Sequence, residues 1–299
     1  MRIIDTHVHV AERCQWEAKY IAPWFEPFGL PVESFDIDTA GLIDHMDKAG
    51  VALSVFLGFN AKRNMKLHVT NEYVAAQCAR FPDRAIGYAS VDPIEAGALD
   101  ELKFAVETLG LKGLKLAPTY QDFHPDDPRA RPVFAYCASH GVPVLFHTGT
   151  TVNPYAVTAL ESVQILDGIC RTFPDLHVII AHLGVDQANG VDALNLMRKH
   201  TNVYADISGR DGDAYGGGIR CLWESLSYAV DKNVVDKIFW GTDSPWSTPE
   251  QSLAALRRLP SYNQKGRAQI TQEHLDGFMG GNFERFALKL GWKLPDQVK

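Results

Sequence analysis

The first strand-like run of the chain contains Asp5-Thr6-His7-Val8-His9-Val10. Alternate side chains of a strand point to the same face, so His7 and His9 should lie side by side, with Cα atoms about 6.6 Å apart. Two neutral imidazoles at that spacing can bind one divalent ion. An isolated His-x-His pair is equally well explained by two ordinary buried histidines, so the rest of the chain must decide between these interpretations.

The composition favours one large α/β domain. The chain has 299 residues, of which 46% are hydrophobic and 22% charged, and this length is usual for a single barrel domain. Its net charge of −7 is mild and mixed along the sequence, which argues against nucleic acid or an anionic membrane as a partner and favours a small molecule. No apolar run approaches the roughly 20 residues that a membrane-spanning helix needs.

The cysteines favour a reduced protein. There are five of them, an odd number, and no two have Cys-x-x-Cys spacing. No charged and apolar leader precedes the first strand. We therefore expect a cytoplasmic location.

Strand-like and helix-like segments alternate along the whole chain. After the first strand, seven more are predicted, at 51–57, 84–91, 112–117, 142–147, 177–181, 203–207 and 237–240. Helical patterns separate them, one of them over 160–173, and an extra helix is predicted over 273–286. The clearest helix start is Thr248-Pro249-Glu250-Gln251, where Thr248 can cap, proline takes the first helical position and Gln251 can complete a capping box.

This order of elements predicts the fold. Eight strands alternating with helices imply right-handed crossovers and a parallel sheet, which most simply closes into a (β/α)8 TIM barrel. No Gly-x-Gly-x-x-Gly follows the first strand, which weighs against a dinucleotide-binding fold. We expect residues 1–299 to form a single domain.

Residues 11–36 are too long for a tight connection after the first strand. They are rich in aromatic side chains, among them Trp16, Tyr20, Trp24, Phe25, Phe28 and Phe35. Long loops with large apolar side chains usually serve as lids or interfaces. We interpret this segment as an insertion or lid that either packs over the barrel mouth or contacts substrate.

Residues at the strand exits form a candidate site, because chemistry in such barrels takes place at the carboxyl ends of the strands. The fifth, sixth and eighth strands end near His147, His182 and Asp243. Each alone is ordinary, since a strand-end histidine usually bonds to backbone and an aspartate there often caps a helix. Together with His7 and His9, they form a set of ligand-type residues that chance rarely assembles, so a metal-dependent site is favoured.

These motifs resemble the amidohydrolase superfamily, in the branch that contains aminocarboxymuconate-semialdehyde decarboxylase and related metal-dependent hydrolases, decarboxylases and hydratases. The matching segments run nearly end to end, at 5–9, 113–116, 147–149, 181–184, 241–246 and 281–286. The resemblance implies that the metal ligands are His7, His9, His147 and Asp243. It implies that His182 stays unbound and acts on the substrate. It also implies a homodimer, and the aromatic insertion is a surface that a monomer would rarely expose.

The chemistry of these residue types agrees with that assignment. A catalytic divalent ion needs three or four protein ligands and an open position for water, and imidazoles with one carboxylate suit zinc best, with manganese or cobalt as alternatives. Asp243 can accept the proton that metal-bound water loses, and His182 can polarise a carbonyl or move a proton. In binuclear relatives a lysine on strand four is carboxylated and bridges two metals. No sequence feature tests this for Lys115, and one metal is the expectation.

Five side chains are candidates for substrate binding: Lys115, Arg63, Tyr120, Arg210 and Trp246. Lys115 would orient the substrate or pair with a carboxylate in the barrel. An arginine at a barrel mouth can hold a carboxylate through two parallel hydrogen bonds, although a solvated surface role explains either arginine equally well. Trp246 either walls the pocket or packs under the last barrel helix.

Two reactions fit such a site. The favoured prediction is hydrolysis of a small ester, lactone or amide of a carboxylated substrate by metal-activated water. The alternative is non-oxidative decarboxylation of an aromatic or unsaturated carboxylic acid. Many aromatic-acid decarboxylases of this branch have Glu where this chain has His7, although the aminocarboxymuconate enzyme has two histidines. A non-catalytic metal- or ligand-binding barrel is less favoured because the ligand set is complete, and a Schiff-base aldolase using Lys115 would not need the histidines.

Overall fold

A computed structural model describes residues 2–210 and 218–295 of the chain. Its strands are β1 (Ile3–His9), β2 (Val51–Leu57), β3 (Phe59–Ala61), β4 (Leu67–Val69), β5 (Ala85–Ala89), β6 (Gly113–Leu116), β7 (Val144–Phe146), β8 (Val178–Ile180), β9 (Val203–Asp206) and β10 (Ile238–Phe239). All except the antiparallel pair β3 and β4 belong to one eight-stranded parallel sheet in chain order.

The parallel sheet closes on itself between β1 and the segment after β10. Thr6 N donates to the Trp240 carbonyl oxygen at 3.0 Å, and His9 N donates to the Ser244 carbonyl oxygen at 3.1 Å. Val8 and Ser244 form a parallel bridge at the same place. The predicted (β/α)8 barrel is therefore confirmed.

The helices lie between the strands and after them. They are α1 (Ala18–Phe25), α2 (Thr39–Ala49), α3 (Lys62–Met65), α4 (Asn71–Arg80), α5 (Ala98–Lys103), α6 (Pro118–Gln121), α7 (Arg131–His140), α8 (Asp167–Thr172), α9 (Gln187–Lys199), α10 (Gly218–Lys232), α11 (Pro249–Leu256), α12 (Gln272–Asp276) and α13 (Asn282–Lys289). None of the helices in the described ranges is long and apolar enough to cross a membrane.

Local sequence signals set several helix ends. The α11 capping box forms as predicted, because Thr248 Oγ1 accepts from Gln251 N at 3.3 Å and Thr248 N donates to Gln251 Oε1 at 3.2 Å. Helix α2 begins after Asp38, whose side chain accepts a hydrogen bond from Ala40 N at 3.0 Å. It ends at Gly50, which has the φ of 75° that a left-handed cap requires.

Three segments differ from the sequence prediction. The β3–β4 hairpin was not predicted, and the helix expected over 160–173 starts only at Asp167, after a 3-10 turn at Val163–Leu166. The helix expected over 273–286 is two helices, separated by a π-helical turn at Gly277–Gly281. Gly280 has a non-helical backbone conformation and lies against Arg2 and β1, where a Cβ atom would clash with the Arg2 carbonyl oxygen.

The amino end of the barrel is closed by apolar packing. Helix α13, the predicted extra C-terminal helix, places Phe283 and Phe286 against the residues inside this end. The interior set is Ile4, Leu53, Val55, Leu57, Ile86, Tyr88, Leu145, Ile179, Ala181, Tyr204 and Phe239. Because this end is filled, the cavity described below opens at the carboxyl ends of the strands.

Candidate metal centre and active site

His7 and His9, on one face of β1, converge on Asp243. Asp243 Oδ1 lies 3.4 Å from His7 Nε2 and 3.4 Å from His9 Nε2. The potential ligand atoms of the three residues all lie within 4.8 Å of one another, and all three residues are buried. The i, i+2 spacing on a strand explains why the two rings are neighbours, with centroids 5.2 Å apart.

Asp5 holds the β1 motif against the segment that carries Asp243. One oxygen of Asp5 accepts from Thr242 N at 2.9 Å, and the other accepts from Thr242 Oγ1 at 2.7 Å. Asp243 N in turn donates to the His7 carbonyl oxygen at 2.9 Å. Burial raises the pKa of Asp5 to about 7. The first residue of the Asp-Thr-His-Val-His motif therefore joins the first and last strand exits.

Asp206, at the end of β9, orients the His7 ring. Its Oδ2 lies 2.9 Å from His7 Nδ1, while its Oδ1 accepts from His182 N at 2.9 Å and from Ser208 Oγ at 2.5 Å. An imidazole that donates from Nδ1 to a carboxylate presents its Nε2 lone pair on the opposite side. His7 Nε2 is therefore directed toward Asp243. The ligand atoms of His7, His182 and Asp206 also lie within 4.8 Å, but Asp206 Oδ2 is hydrogen-bonded to His7 Nδ1 and His182 Nδ1 is hydrogen-bonded to Ser208.

Sequence reasoning missed Asp206 and Ser208. The signal was present, because Val203-Tyr204-Ala205-Asp206 ends a strand with a carboxylate just as the segment before Asp243 does. Ser208 lies beside both rings, with its Oγ 3.0 Å from His7 Nδ1 and 2.9 Å from His182 Nδ1. Asp206 and Ser208 therefore orient the His7 and His182 rings through hydrogen bonds.

His182 hydrogen-bonds to His147 and Ser208, and its Nδ1 lies 3.9 Å from Asp243 Oδ2. His182 Nδ1 lies 3.1 Å from the Ser208 carbonyl oxygen, and its Nε2 lies 3.1 Å from His147 Nδ1. A carbonyl can only accept, so His182 Nδ1 donates to Ser208 and His182 Nε2 accepts from His147 Nδ1. His147 Nε2 is then an acceptor, and it is buried with no hydrogen-bond partner in the described part of the chain. A lone pair of that kind fits a metal ion.

Burial keeps the ring nitrogens in their metal-binding form. It lowers the pKa of His9 to about 3 and that of His182 to about 4, and it lowers the pKa of His7 and His147 well below the ordinary range. Burial also lowers the pKa of Lys115 to about 8, and Lys115 Nζ lies 3.2 Å from His7 Nε2. Neutral imidazoles with a nearby carboxylate are the donor set that a divalent transition metal prefers.

A cavity lies over these groups, with about 470 Å³ of empty space when the open solvent at its mouth is included. At its base are His9, Lys115, His147, His182 and Asp243. Its walls are Trp24, Phe28, Phe59, Tyr120, Thr150, Thr151, Val152 and Trp246. Of the predicted substrate-binding residues, Lys115, Tyr120 and Trp246 therefore line the cavity.

The insertion covers part of this cavity. Trp24 of α1 stacks on Phe59 with ring centroids 6.0 Å apart, and its indole Nε1 donates to Tyr120 Oη at 3.0 Å. The buried aromatic residues of the insertion are Trp16, Trp24, Phe25 and Phe35. The expectation that the insertion exposes an aromatic surface is thus wrong, because those rings are covered within this chain.

The two predicted arginines lie outside the cavity lining. Arg63 Nε donates to Asp92 Oδ2 at 2.9 Å, and its guanidinium also donates to the backbone of residues 121 and 122. Arg210 is buried and donates to the carbonyl oxygens of residues 182 and 183 at 3.3 and 3.4 Å. Both guanidinium groups thus hydrogen-bond to loop backbone, and neither lines the described cavity.

Residues 4–286 match the sequence profile of the family described as Amidohydrolase. This chain belongs to that family. The resemblance seen in the sequence is confirmed, and the protein is an enzyme of a metal-dependent superfamily that acts on small molecules.

Two relatives share part of the sequence. The 2-amino-3-carboxymuconate-6-semialdehyde decarboxylase of Dictyostelium discoideum is 27% identical over 262 residues, which cover 78% of this chain and 70% of that protein. The gamma-resorcylate decarboxylase of Rhodococcus jostii (strain RHA1) is 25% identical over 171 residues, or 46% of this chain. That second match spans about half of the relative, 49% of its length.

A solved structure shares the fold. A TIM-barrel protein of Bordetella bronchiseptica superposes with a TM-score of 0.74, covering 97% of this chain and 100% of that one. The two sequences are 22% identical, so this likeness concerns the fold alone.

Proposed function

We propose that this amidohydrolase is a metal-dependent carboxy-lyase that removes CO₂ from a small aromatic or unsaturated carboxylic acid. The supporting observation is a cavity with aromatic walls whose base combines the His7, His9 and Asp243 cluster with a histidine held outside it, His182. Both relatives described above are named as decarboxylases. They support this reaction class over the hydrolysis favoured from the sequence.

The proposed ligands of one divalent ion are His7, His9, His147 and Asp243. Zinc is the proposed metal, with manganese or cobalt as alternatives, because three imidazoles and one carboxylate suit these ions. When bound, the ion supplies a positive charge that holds substrate oxygens and stabilises negative charge developing on the substrate. Lys115, 3.2 Å from His7 Nε2, would add a second positive charge for the substrate carboxylate.

His182 would move the proton. Ser208 holds its Nδ1, and its Nε2, which accepts from His147 Nδ1 in this structure, would take up a proton from water and exchange it with substrate in the cavity. In the reaction the bond between the carboxylate carbon and the substrate carbon breaks, and its electron pair stays on the substrate carbon. A proton delivered through His182 Nε2 forms the new C–H bond, and CO₂ leaves. The walls at Phe59 and Trp246 would hold the planar substrate and exclude water.

Hydrolysis of a small ester, lactone or amide is the second candidate, and the position of Asp243 favours it. Asp243 Oδ1 faces two imidazole nitrogens, while Oδ2 lies 3.9 Å from His182 Nδ1. A carboxylate between a metal site and a histidine can accept a proton from an attacking water. Both reactions would use the same residues, so only the substrate separates them.

We also propose that residues 1–299 act as one domain in which residues 11–36 form the lid. The contact of Trp24 with Phe59 and Tyr120 supports this arrangement. A cytoplasmic homodimer remains our proposal for the assembly and its location, and it rests on the family resemblance and the cysteine content.

The test is product analysis with the zinc-loaded enzyme. Hydroxybenzoic acids and unsaturated carboxylic acids should release CO₂ in equal amount to the acid consumed, and His182→Asn should lower that release strongly. Small lactones and amides, tested in parallel, should be consumed much more slowly. Rapid lactone hydrolysis without CO₂ release from any acid would replace the proposal with the second candidate.

A further inference from the structure

The cavity wall combines five aromatic side chains with Thr150, Thr151 and Val152, and it contains no charged side chain among the described residues. Trp24 Nε1 donates to Tyr120 Oη at 3.0 Å, and Tyr120 Oη donates to Thr151 Oγ1 at 2.6 Å. The polar atoms of the two aromatic side chains are therefore used within the wall. Trp246 packs against Trp24 and His9, with ring centroids 6.0 and 5.8 Å apart. A ligand in this cavity therefore meets one continuous aromatic surface.

Positively charged side chains reach the described part of the cavity lining at one position, Lys115. Among the described residues that line the cavity, Lys115 is the single lysine or arginine, and it lies at the base beside the metal cluster. Arg63 and Arg210 are committed to Asp92 and to backbone carbonyl oxygens elsewhere. Residues 211–217, outside the described ranges, read Asp-Gly-Asp-Ala-Tyr-Gly-Gly and contain no lysine or arginine.

A second anionic group on a ring would find no counter-charge along this wall. A carboxylate pressed against ring faces loses hydrogen bonds to water without replacing them, and the negative face of an aromatic ring repels it. The first carboxylate does not face this cost, because it would lie at the end where Lys115 and the metal ligands converge.

From this distribution we infer that the cavity selects a planar ring acid with a single anionic group and discriminates against the same ring carrying a second carboxylate. The inference rests on the proposed function for the position of the first carboxylate. The inference adds a selectivity that is set by the cavity walls. This selectivity is measured as a ratio of dissociation constants rather than as a turnover rate.

The experiment is titration calorimetry of the zinc-loaded enzyme with 2-hydroxybenzoate and with 5-carboxy-2-hydroxybenzoate, which differ by one carboxylate. We expect the Kd of the dicarboxylate to be higher by about tenfold or more. Equal or tighter binding of the dicarboxylate would overturn the inference, and so would a failure of both acids to bind. CO₂ release is scored separately. A tenfold preference for the monocarboxylate without CO₂ release from any acid removes the proposed reaction and keeps the selectivity. CO₂ release with equal binding of the two acids keeps the proposed reaction and removes the selectivity.

A charge-adding variant tests the cause of the selectivity. Val152 lines the cavity and is 45% exposed, so a long side chain has room there. Val152→Arg should lower the Kd of the dicarboxylate by about tenfold relative to the monocarboxylate, since it supplies the missing counter-charge. Val152→Gln is the matched neutral control and should leave the ratio of the two Kd values unchanged. If Val152→Arg and Val152→Gln change that ratio alike, the absence of a second cation does not set the selectivity.

Discussion

The two ends of this barrel bury different kinds of side chain. At the amino end, Phe283 and Phe286 of α13 pack on an apolar interior. At the carboxyl end, a similarly buried set consists of His7, His9, His182, Asp206, Asp243 and Lys115. Apolar burial stabilises a fold, whereas buried ionisable groups cost free energy unless each has a partner. The contrast agrees with our proposal that the carboxyl end carries the chemistry, while the amino end contributes to stability.

The largest expected effect is at Asp243. Asp243→Asn removes a ligand charge and the carboxylate shared by His7 and His9, so it should weaken metal retention and lower kcat/KM together, by about 10,000-fold or more. The loss should leave the fold intact. Metal analysis, rate measurement and circular dichroism on one sample check this. A variant that keeps its metal and its rate would show that the buried carboxylate at the carboxyl end of the barrel serves neither metal binding nor catalysis.

His182→Asn should separate chemistry from metal binding at the same end. Its Nε2 contacts His147 and not the Asp243 cluster, so the metal should stay while turnover falls by about 100- to 10,000-fold, the usual range for a lost acid or base. If the variant loses its metal as readily as His9→Ala, then His182 is a ligand and the proposed division of roles is wrong.

Phe286→Ala tests the amino end. Phe286 is 2% exposed, and its loss should lower the free energy of unfolding by about 3–5 kcal/mol. Metal content and kcat per folded molecule should stay within about twofold of the wild type, since the residue is remote from the site. Urea unfolding measures the first quantity. If the alanine variant does not fold, Phe286→Leu replaces it, and this variant should lower the free energy of unfolding by less than about 1.5 kcal/mol. A specific loss of activity in the folded Phe286→Leu protein would show that the two ends are coupled.

The smallest effect concerns a carboxyl beside the carboxyl end of β5. Glu101 accepts a hydrogen bond from Asn71 Nδ2 at 3.1 Å, and burial and then Glu72 raise its pKa from 4.5 to about 7. The folded state thus holds this proton more tightly than the unfolded state, so stability falls as pH rises from about 4.5 to about 7.

Glu101→Gln removes that dependence. It should be more stable than the wild type at pH 8 by on the order of 1 kcal/mol, a value reduced for solvent screening of a half-exposed group, and the difference should shrink toward pH 5. Urea unfolding at both pH values measures it. A difference that does not change with pH would show that ionisation of Glu101 does not affect stability.

Much of the architecture could be predicted from the periodicity of apolar residues and from the spacing of the histidine and aspartate motifs. The i, i+2 histidines of β1 and the residues at strand exits are local patterns, and barrel closure alone brings His7, His9 and Asp243 together. The break in the last helix could not be predicted, because the sequence pattern does not reveal that Gly280 lies against the backbone of Arg2 and β1.

The surroundings of the site were harder to predict. Asp206 follows a strand as Asp243 does, but only the position of the His7 ring shows that it is a support. Arg63 and Arg210 have the right residue type for a substrate carboxylate. Their hydrogen bonds to distant backbone groups and to Asp92, which sequence spacing does not reveal, take both guanidinium groups away from the cavity.

The most direct test of the account is the metal content of purified protein, measured by elemental analysis on the wild type, His9→Ala and Phe286→Leu after reconstitution at neutral pH. We predict about one divalent ion per chain in the wild type and in Phe286→Leu, and strongly reduced occupancy in His9→Ala. No bound metal in the wild type, or equal occupancy in His9→Ala, would contradict the assignment of the carboxyl end as a metal centre.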